Sequence, residues 1–224
     1  MKLADALRNR HSCRAFLDRE VEADKIERIL RLAARAPSGG NLQPWQVAVV
    51  NGQTKRAIAE ETEARFRAGV RGEPDYRYYP EHWTEPYVSR RFACGMQLYS
   101  AVGIEREDKD RRREQWIENY CSFSAPVVLY LYIESHLVAG ASGAYVDLGS
   151  FLQSLMLAAL EEGLATCPQQ ALAEYPQIVK HRLRIGDACV LLCGVAVGYE
   201  DTSAPINQYR TPRAGLAEFV RYFS

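Results

Sequence analysis

Apolar residues recur along the chain at two different spacings, and these divide it into predicted helices and strands. The apolar positions between Ile26 and Ala33 follow the i, i+3, i+4, i+7 spacing of one helical face, which predicts a helix over Asp24–Arg35. Pro37 ends this helix. Helices are also predicted at Gln53–Phe66, Phe92–Val102, Leu148–Leu160 and Glu174–Leu183. Short apolar runs, typical of buried strands, occupy Trp45–Val50, Val127–Ile133 and Cys189–Gly198.

Two apolar segments need a surface to cover them. The predicted helix Leu148–Leu160 is apolar on all sides and ends at Gly163. We expect this helix to pack between the sheet and a second subunit, although a large monomer core would also cover it. The tail beyond Pro205 carries an apolar stripe formed by Leu216, Phe219, Val220 and Phe223. From this pattern alone, an α/β fold and an α+β fold both remain open.

Basic and hydroxyl side chains alternate near the N-terminus, in the segment Arg10-His11-Ser12-Cys13-Arg14. Residues two apart in an extended segment point to the same side, so Arg10, Ser12 and Arg14 can converge on one ligand. Two guanidinium groups and a hydroxyl group together are suited to bind a phosphate. A solvated edge or a phosphorylation site has the same composition and is the alternative.

A turn rich in small residues joins the first predicted helix to the first predicted strand. Its sequence is Ala36-Pro37-Ser38-Gly39-Gly40-Asn41-Leu42-Gln43-Pro44-Trp45. Glycines and amide side chains let backbone N–H groups approach a planar ligand closely. Together with the alternating basic motif, this turn predicts a flat, phosphorylated cofactor.

Composition narrows the class of protein. The chain has 224 residues, of which 47% are hydrophobic, and this predicts a single domain over residues 1–224. Twenty-eight basic residues balance 28 acidic residues, so no overall field attracts nucleic acid or a membrane surface. The first seven residues lack the apolar core of a signal peptide, and no apolar run is long enough to span a bilayer. We therefore expect a cytoplasmic protein.

Common motifs for metal binding and nucleophilic catalysis do not occur in the sequence. The six cysteines include no Cys-x-x-Cys pair and the four histidines are far apart, so we predict reduced thiols and no metal site. The nucleophile elbow, the phosphate-binding loop of nucleotide hydrolases and the His-Glu-x-x-His motif do not occur either. No side chain is predicted to be catalytic, so a cofactor must carry the reaction.

A third motif, Asn207-Gln208-Tyr209-Arg210-Thr211-Pro212-Arg213, follows near the C-terminus. With the two N-terminal motifs it resembles the FMN-dependent nitroreductase family, and more narrowly the branch that reduces nitroaromatic compounds, over essentially the whole chain. The resemblance implies an α+β fold with a central, mostly antiparallel sheet flanked by helices. It also implies a homodimer with the flavins in the interface, in which the C-terminal extension wraps the partner subunit.

The resemblance further implies FMN as the cofactor and NADH or NADPH as the electron donor. Both substrates would use the same face of the flavin, so ping-pong kinetics are expected. The residues that it assigns to the phosphate are Arg10, His11, Ser12, Arg14, Arg210 and Arg213. The residues that would reach the partner's flavin are Pro37, Ser38, Gly39, Asn41 and Gln43.

Two more segments are assigned to the flavin ring by the same resemblance. Asn119 would lie near its pyrimidine edge, and a helix-end role is the alternative for this residue. The backbone of Pro168, Gln169, Gln170 and Ala171 would pass the ring, where an N–H group meets the reactive flavin nitrogen. The glycine that similar proteins often carry there is absent, and an ordinary strand-to-helix turn is the alternative.

Tyrosines, tryptophan and prolines are interleaved between Val70 and Tyr87, a composition that suits neither a helix nor a central strand. A loop of this kind can fold over a site and offer ring faces to an aromatic substrate. Tyr79 and Trp83 are therefore predicted to contact the substrate. A loop anchored on the body of the protein by its aromatic residues is the alternative, and the two are compatible.

Two other functions remain open from the sequence. A non-catalytic flavin-binding module would use the same phosphate contacts. A flavin-fragmenting or dehalogenating enzyme would share the fold. Electron transfer from a nicotinamide to a nitroarene separates the enzyme from the binding module.

Overall fold

The computed structural model describes residues 1–224. In chain order the helices are α1 (Leu3–Asn9), α2 (Ala23–Ala33), α3 (Gly52–Arg67), α4 (Tyr87–Ala101), α5 (Lys109–Ile117), α6 (Gly143–Glu161), α7 (Pro176–Leu183) and α8 (Leu216–Phe219). The strands are β1 (Gln46–Asn51), β2 (Val127–Glu134), β3 (Ala165–Gln169) and β4 (Cys189–Gly198). The strands form one sheet in the order β1-β2-β4-β3, and every neighbouring pair is antiparallel. The α+β fold with an antiparallel sheet and flanking helices is confirmed.

The two central strands separate two hydrophobic cores, because alternate residues of a strand point to opposite faces. On one face, Leu129 and Leu131 of β2 pack with residues of α2 and α6. On the other face, Val128 and Tyr130 pack with residues of α3 and α7. Both faces of β2 and β4 are covered, which explains why their sequences are apolar without alternation.

The predicted strands are confirmed, and β4 has the predicted bounds. Gly163 follows α6 with a φ of +72°, the left-handed conformation expected of a glycine that ends a helix. Most helix boundaries differ from the prediction by one or two residues, as at α7, which begins at Pro176, but α4 begins five residues early at Tyr87 and α6 five residues early at Gly143. The pattern does not predict α1, a helix of seven residues.

The early start of α6 corrects one expectation. With 19 residues and a mean hydropathy of 1.3, this helix is long and apolar enough to cross a membrane by length and composition alone, so the prediction that no apolar run reaches this length is wrong. Here the same helix packs its apolar side chains, among them Leu148, Phe151 and Leu155, into the core between the sheet and α2.

Candidate active site

The N-terminal basic motif and the C-terminal tail meet at one cavity of about 410 Å³, here called the phosphate cavity. Its wall includes Arg8, Arg10, His11, Ser12, Arg14, Tyr209, Arg210, Thr211 and Arg213. Among these, the guanidinium groups of Arg14, Arg210 and Arg213 donate to backbone carbonyls and hydroxyls rather than to carboxylates. Their positive charge therefore remains available to an anion.

Arg10 has no hydrogen-bond partner for its side chain within the protein. Burial, and next the charge of the nearby Arg213, lower the pKa of Arg10 below its ordinary value. Two like charges held together without a carboxylate raise the free energy of the ligand-free protein. A bound phosphate would offset this cost, so the local electrostatics fit an anion site.

His11 lies beside these arginines and is held by the chain on both sides. Its Nδ1 atom is 3.0 Å from the carbonyl oxygen of Asn9, and its Nε2 atom is 3.0 Å from Oε1 of Glu200. These two contacts fix the imidazole ring in the cavity wall.

Asn207 joins the tail to the N-terminal motif and is almost fully buried. Its Oδ1 atom accepts from the backbone N–H of Arg14 at 2.8 Å. Its Nδ2 atom donates to the carbonyl oxygens of Ala15 and Asp201, each at 2.9 Å. Asn207 is therefore a structural link that sets the position of Arg14 relative to Arg210 and Arg213. The motif was recognised from the sequence, but this role was not.

Replacing Asn207 by alanine is expected to lower the free energy of unfolding by about 2–4 kcal/mol, because the N–H of Arg14 loses its only partner and the carbonyls of Ala15 and Asp201 each lose one donor. Urea denaturation of the flavin-free protein measures the change. The neighbouring Gln208→Ala is the control, since the Gln208 side chain is exposed, and its effect should stay within about 0.5 kcal/mol. Equal unfolding midpoints for the two variants would show that the link does not stabilise the protein.

A neighbouring cavity of about 300 Å³, here called the ring cavity, continues from the phosphate cavity, since Arg14 and Cys94 line both. Its lining includes Asn119, Pro168, Gln169, Gln170 and Ala171, which come from the end of α5 and from β3 with the turn that follows it. The structure thus brings the segments predicted to meet the flavin ring next to the segment predicted to meet its phosphate.

Gln169 carries an unsatisfied acceptor in the ring cavity. Its Nε2 atom donates to the carbonyl oxygen of Asn119 at 2.9 Å, whereas its Oε1 atom is buried without a partner. A buried acceptor of this kind costs free energy unless a ligand donates to it. Asn119 itself donates from Nδ2 to the carbonyl oxygen of Trp116 at 2.9 Å, so it has the helix-end role and lines the cavity as well.

The base of the aromatic loop is fixed to an irregularity in β4. The pairing of β2 with β4 skips Leu192, and β3 ends opposite Gly194, so backbone groups of β4 are free at this edge. Loop residues occupy them. Asp75 accepts from the N–H of Leu191 at 2.8 Å, and the hydroxyl of Tyr76 donates to the carbonyl of Leu192 at 2.9 Å. Asp75 also forms a buried ion pair with Lys180 at 2.8 Å.

Tyr76 connects this anchor to the ring cavity. Its hydroxyl also lies 2.9 Å from Oε1 of Gln170, and its ring stacks on Tyr145 with the centroids 5.4 Å apart. Farther along the loop, Tyr79 lines the ring cavity. Trp83 does not line it but lies 5.6 Å from Tyr79 between ring centroids. Tyr76 therefore anchors the loop, and Tyr79 faces the cavity, where its contact with a substrate stays a prediction.

The turn before β1 is apart from these cavities within one chain. The N–H of Gly39 donates to Oδ1 of Asp147 at 3.1 Å, and the N–H of Gln43 donates to Oγ of Ser38 at 2.9 Å. Asn41 and Gln43 have positive φ angles of 58° and 49°. Pro37, Ser38, Gly39, Asn41 and Gln43 line neither the phosphate cavity nor the ring cavity of their own chain.

Among the residues of the ring cavity that were not predicted as site residues, one carries a carboxyl group. Glu174, between β3 and α7, lines the ring cavity and accepts a hydrogen bond from Tyr120 at 2.5 Å. Nothing in the sequence around Glu174 distinguishes it from other surface glutamates. Its position becomes evident only when α5 and α7 are brought together by the fold.

Comparisons with known proteins agree with this geometry. A family model described as "Nitroreductase family" matches residues 7–199. The 4-nitrobenzoate reductase of Nocardioides sp. (strain LMS-CY) is 34% identical over 219 residues, which cover 96% of this chain and 87% of that protein. The nitrobenzene nitroreductase of Ectopseudomonas oleovorans is 32% identical over 219 residues, which cover 97% of this chain and 95% of that protein.

Solved structures give the same result. The structure described as the FMN and NADPH-dependent nitroreductase NfnB of Sphigopyxis sp. strain HMH superposes with a TM-score of 0.95. It is 41% identical in sequence and covers 100% of both chains. The chain described here belongs to the nitroreductase family.

Proposed function

We propose that this protein is an FMN-dependent NAD(P)H oxidoreductase that passes reducing equivalents to nitroaromatic acceptors. The observation that carries the proposal is the phosphate cavity, in which Arg10, Arg14, Arg210 and Arg213 lack carboxylate partners and which opens into a ring cavity along Gln169–Ala171. The relatives described as reductases of 4-nitrobenzoate and nitrobenzene support the choice of acceptor. The solved relative described as FMN and NADPH-dependent supports the cofactor and the donor.

The residues present fit FMN. Arg10, Arg14 and Arg213, with Arg210, Ser12 and His11 beside them, would hold the phosphate. The backbone from Pro168 to Ala171 would run along the ring, and the unpaired Oε1 atom of Gln169 offers an acceptor for a ring N–H group. When bound, FMN supplies the hydride and electron transfer chemistry that no side chain of this protein offers.

In the proposed enzyme, side chains and backbone groups of the protein bind and orient the cofactor. The arginines fix the phosphate end, and the Gln170 segment, held by Tyr76, fixes the wall of the ring cavity. A nicotinamide and a nitroarene would enter the same cavity in turn, which gives ping-pong kinetics. The donor is NADPH or NADH.

We propose that the protein acts as a homodimer with its flavin sites in the interface. The stripe residues Leu216, Phe219 and Phe223 are 66%, 64% and 93% exposed in the single chain, although such side chains normally find a partner surface. The tail would cover them by wrapping the partner, and Pro37–Gln43 would reach the partner's flavin. Each chain is proposed to be a single cytoplasmic domain without nucleic acid or membrane partners.

The proposal is tested by titrating the flavin-free protein with FMN and by measuring steady-state rates with a series of nitroarenes. A tight FMN complex and parallel double-reciprocal plots for NADPH against the nitroarene are expected. A protein that binds FMN but reduces no acceptor with either nicotinamide would be a binding module instead.

Tyr79 and Trp83 of the aromatic loop are proposed to contact the nitroaromatic substrate. Tyr79→Ala or Trp83→Ala is expected to raise KM for nitroaromatics by about 2- to 12-fold, because aromatic stacking contributes about 0.5–1.5 kcal/mol beyond area burial. The value of kcat and the FMN content should change little, since a removed ring deletes binding surface common to the ground and transition states.

The measurement compares wild type and both variants with aromatic and non-aromatic oxidants. The non-aromatic oxidants are the internal control, because stacking does not contribute to their binding. An equal change in KM across the whole panel would mean that these aromatic residues only anchor the loop.

A further inference from the structure

The wall of the ring cavity contains one carboxylic acid. Glu174 lines the ring cavity and also a second cavity of about 510 Å³ between the start of the aromatic loop and the α5 and α7 regions. No other aspartate or glutamate lines either cavity. Glu174 and Trp116 are the only residues shared by the two cavities, so they form the partition between them.

A hydrogen-bond chain holds this carboxyl group in place. Trp116 donates from Nε1 to the hydroxyl oxygen of Tyr120 at 3.1 Å, and Tyr120 donates to Oε2 of Glu174 at 2.5 Å. Tyr120 is only 1% exposed, so its hydroxyl has no other acceptor for its hydrogen bond. The second carboxyl oxygen, Oε1, has no partner and is not among the fully buried unpaired atoms, so it remains open to a cavity.

The loop packs tightly against this position. A Cβ atom on Gly72 would lie 2.6 Å from the carbonyl oxygen of Glu174, a distance that no side chain tolerates. Only glycine lets the loop approach so closely. The start of the aromatic loop therefore packs directly on the backbone of Glu174.

Reduction of a nitro group requires a proton. With a nicotinamide as the reductant, nitroarene, NAD(P)H and one proton give nitrosoarene, NAD(P)⁺ and water. One N–O bond breaks, the nitrogen gains two electrons, the nicotinamide loses a hydride, and the departing oxygen leaves as water with hydrogens from the hydride and the proton. In a cavity covered by an aromatic loop, that proton must come from a group that reaches both the site and the solvent.

We propose that Glu174 delivers this proton to the acceptor in the ring cavity and recovers it from the second cavity. The inference rests on the proposed function, because it assumes that the acceptor is reduced in the ring cavity. Glu174 lies in the partition, so its side chain borders both cavities.

The groups around Glu174 are consistent with this assignment. The titratable and charged side chains lining the two cavities are Arg14, Arg71, Tyr79, Cys94, Tyr99, Tyr120, Cys167 and Tyr175, besides Glu174 itself. Burial raises the pKa of the Tyr79, Tyr120 and Tyr175 phenols, and it raises the pKa of Cys167 to about 11. These groups keep their protons near neutral pH. Burial also raises the pKa of Glu174, although the bond from Tyr120 opposes this.

The rate of acceptor reduction is expected to depend on pH in one direction. A carboxyl group donates its proton only while it is protonated, so the rate of acceptor reduction should fall as the pH rises through the raised pKa of Glu174. Hydride donation by the nicotinamide takes no proton from Glu174 and should lack this dependence. The two half-reactions therefore separate a proton donor from a residue that only supports the fold.

The test compares FMN-loaded wild type, Glu174→Gln, Glu174→Asp and the control Glu118→Gln in stopped-flow measurements of both half-reactions across pH. Glu118 lies at the C-terminal end of α5, burial raises the pKa of its carboxyl group as well, and it lines neither cavity. For Glu174→Gln we expect acceptor reduction at least about tenfold slower at low pH, with its pH dependence lost. Reduction by NADPH should be unchanged, Glu174→Asp should recover part of the rate, and Glu118→Gln should match wild type.

A readout that does not depend on turnover accompanies these rates. Infrared titration of the flavin-free protein should show a protonated carboxyl band that persists to higher pH than those of exposed acids and that is missing in Glu174→Gln. Rates of Glu174→Gln equal to wild type at every pH, or the same loss in Glu118→Gln, would overturn the inference. Wild type that binds no FMN or reduces no nitroarene would instead overturn the proposed function.

Discussion

Arg10→Ala is expected to weaken FMN binding by about 1.5–3 kcal/mol, or about 10- to 150-fold, the range for hydrogen bonds to charged groups. Arg14→Ala and Arg213→Ala should behave alike. Arg10 gives the clearest case, since its side chain makes no hydrogen bond within the protein and lies near the charge of Arg213. Removing it leaves no protein group without a partner, so the flavin-free protein should remain as stable as wild type.

Titration of the flavin-free variants with FMN, followed by fluorescence quenching, measures the affinity. Arg31→Ala is the matched control, because this exposed arginine forms only a surface ion pair with Glu27 on α2. Its FMN affinity should equal that of wild type. Unchanged affinity in all three cavity variants would show that the phosphate binds elsewhere.

Truncation before Pro205 is expected to abolish both FMN binding and dimer formation. The deleted segment contains Asn207, Arg210 and Arg213, which complete the phosphate cavity, together with the exposed apolar stripe. Loss of Asn207 also leaves the N–H of Arg14 without its partner and removes one of the donors to the carbonyl of Ala15. The remaining protein should expose apolar surface and aggregate.

A shorter truncation before Leu216 separates the two roles of the tail. It keeps Asn207, Arg210 and Arg213, so the phosphate cavity should survive while the dimer weakens. Light scattering coupled to gel filtration, with flavin absorbance recorded on the same peak, distinguishes these cases. A soluble, FMN-loaded monomer after the longer truncation would contradict the wrapped-dimer proposal.

Elements that bury apolar residues at a regular spacing were predictable from the sequence. The bounds of β4 were predicted correctly because both of its faces are covered and its sequence is continuously apolar. The pattern missed α1, since seven residues are too few to show a helical period and tertiary packing against α6 stabilises them instead. The early start of α6 was missed because Gly143 and Asp147 interrupt the apolar pattern before Leu148.

The phosphate cavity was predictable in part because its residues form short motifs, each recognisable within a few positions. What the sequence does not reveal are pairs of residues far apart in the chain. Tyr76 and Gln170 are 94 positions apart, and Tyr120 and Glu174 are 54 apart. Such contacts arise from the way β3, β4 and α7 meet, and nothing local in the sequence indicates them.

Anaerobic reduction and reoxidation of the FMN-loaded protein, followed by flavin absorbance, tests the central claim most directly. NADPH or NADH is expected to bleach the bound flavin, and one equivalent of nitrobenzene or 4-nitrobenzoate, added after the nicotinamide is removed, is expected to restore the oxidised spectrum. Bound FMN that remains oxidised with both nicotinamides, or reduced flavin that nitroarenes do not reoxidise, would contradict the claim.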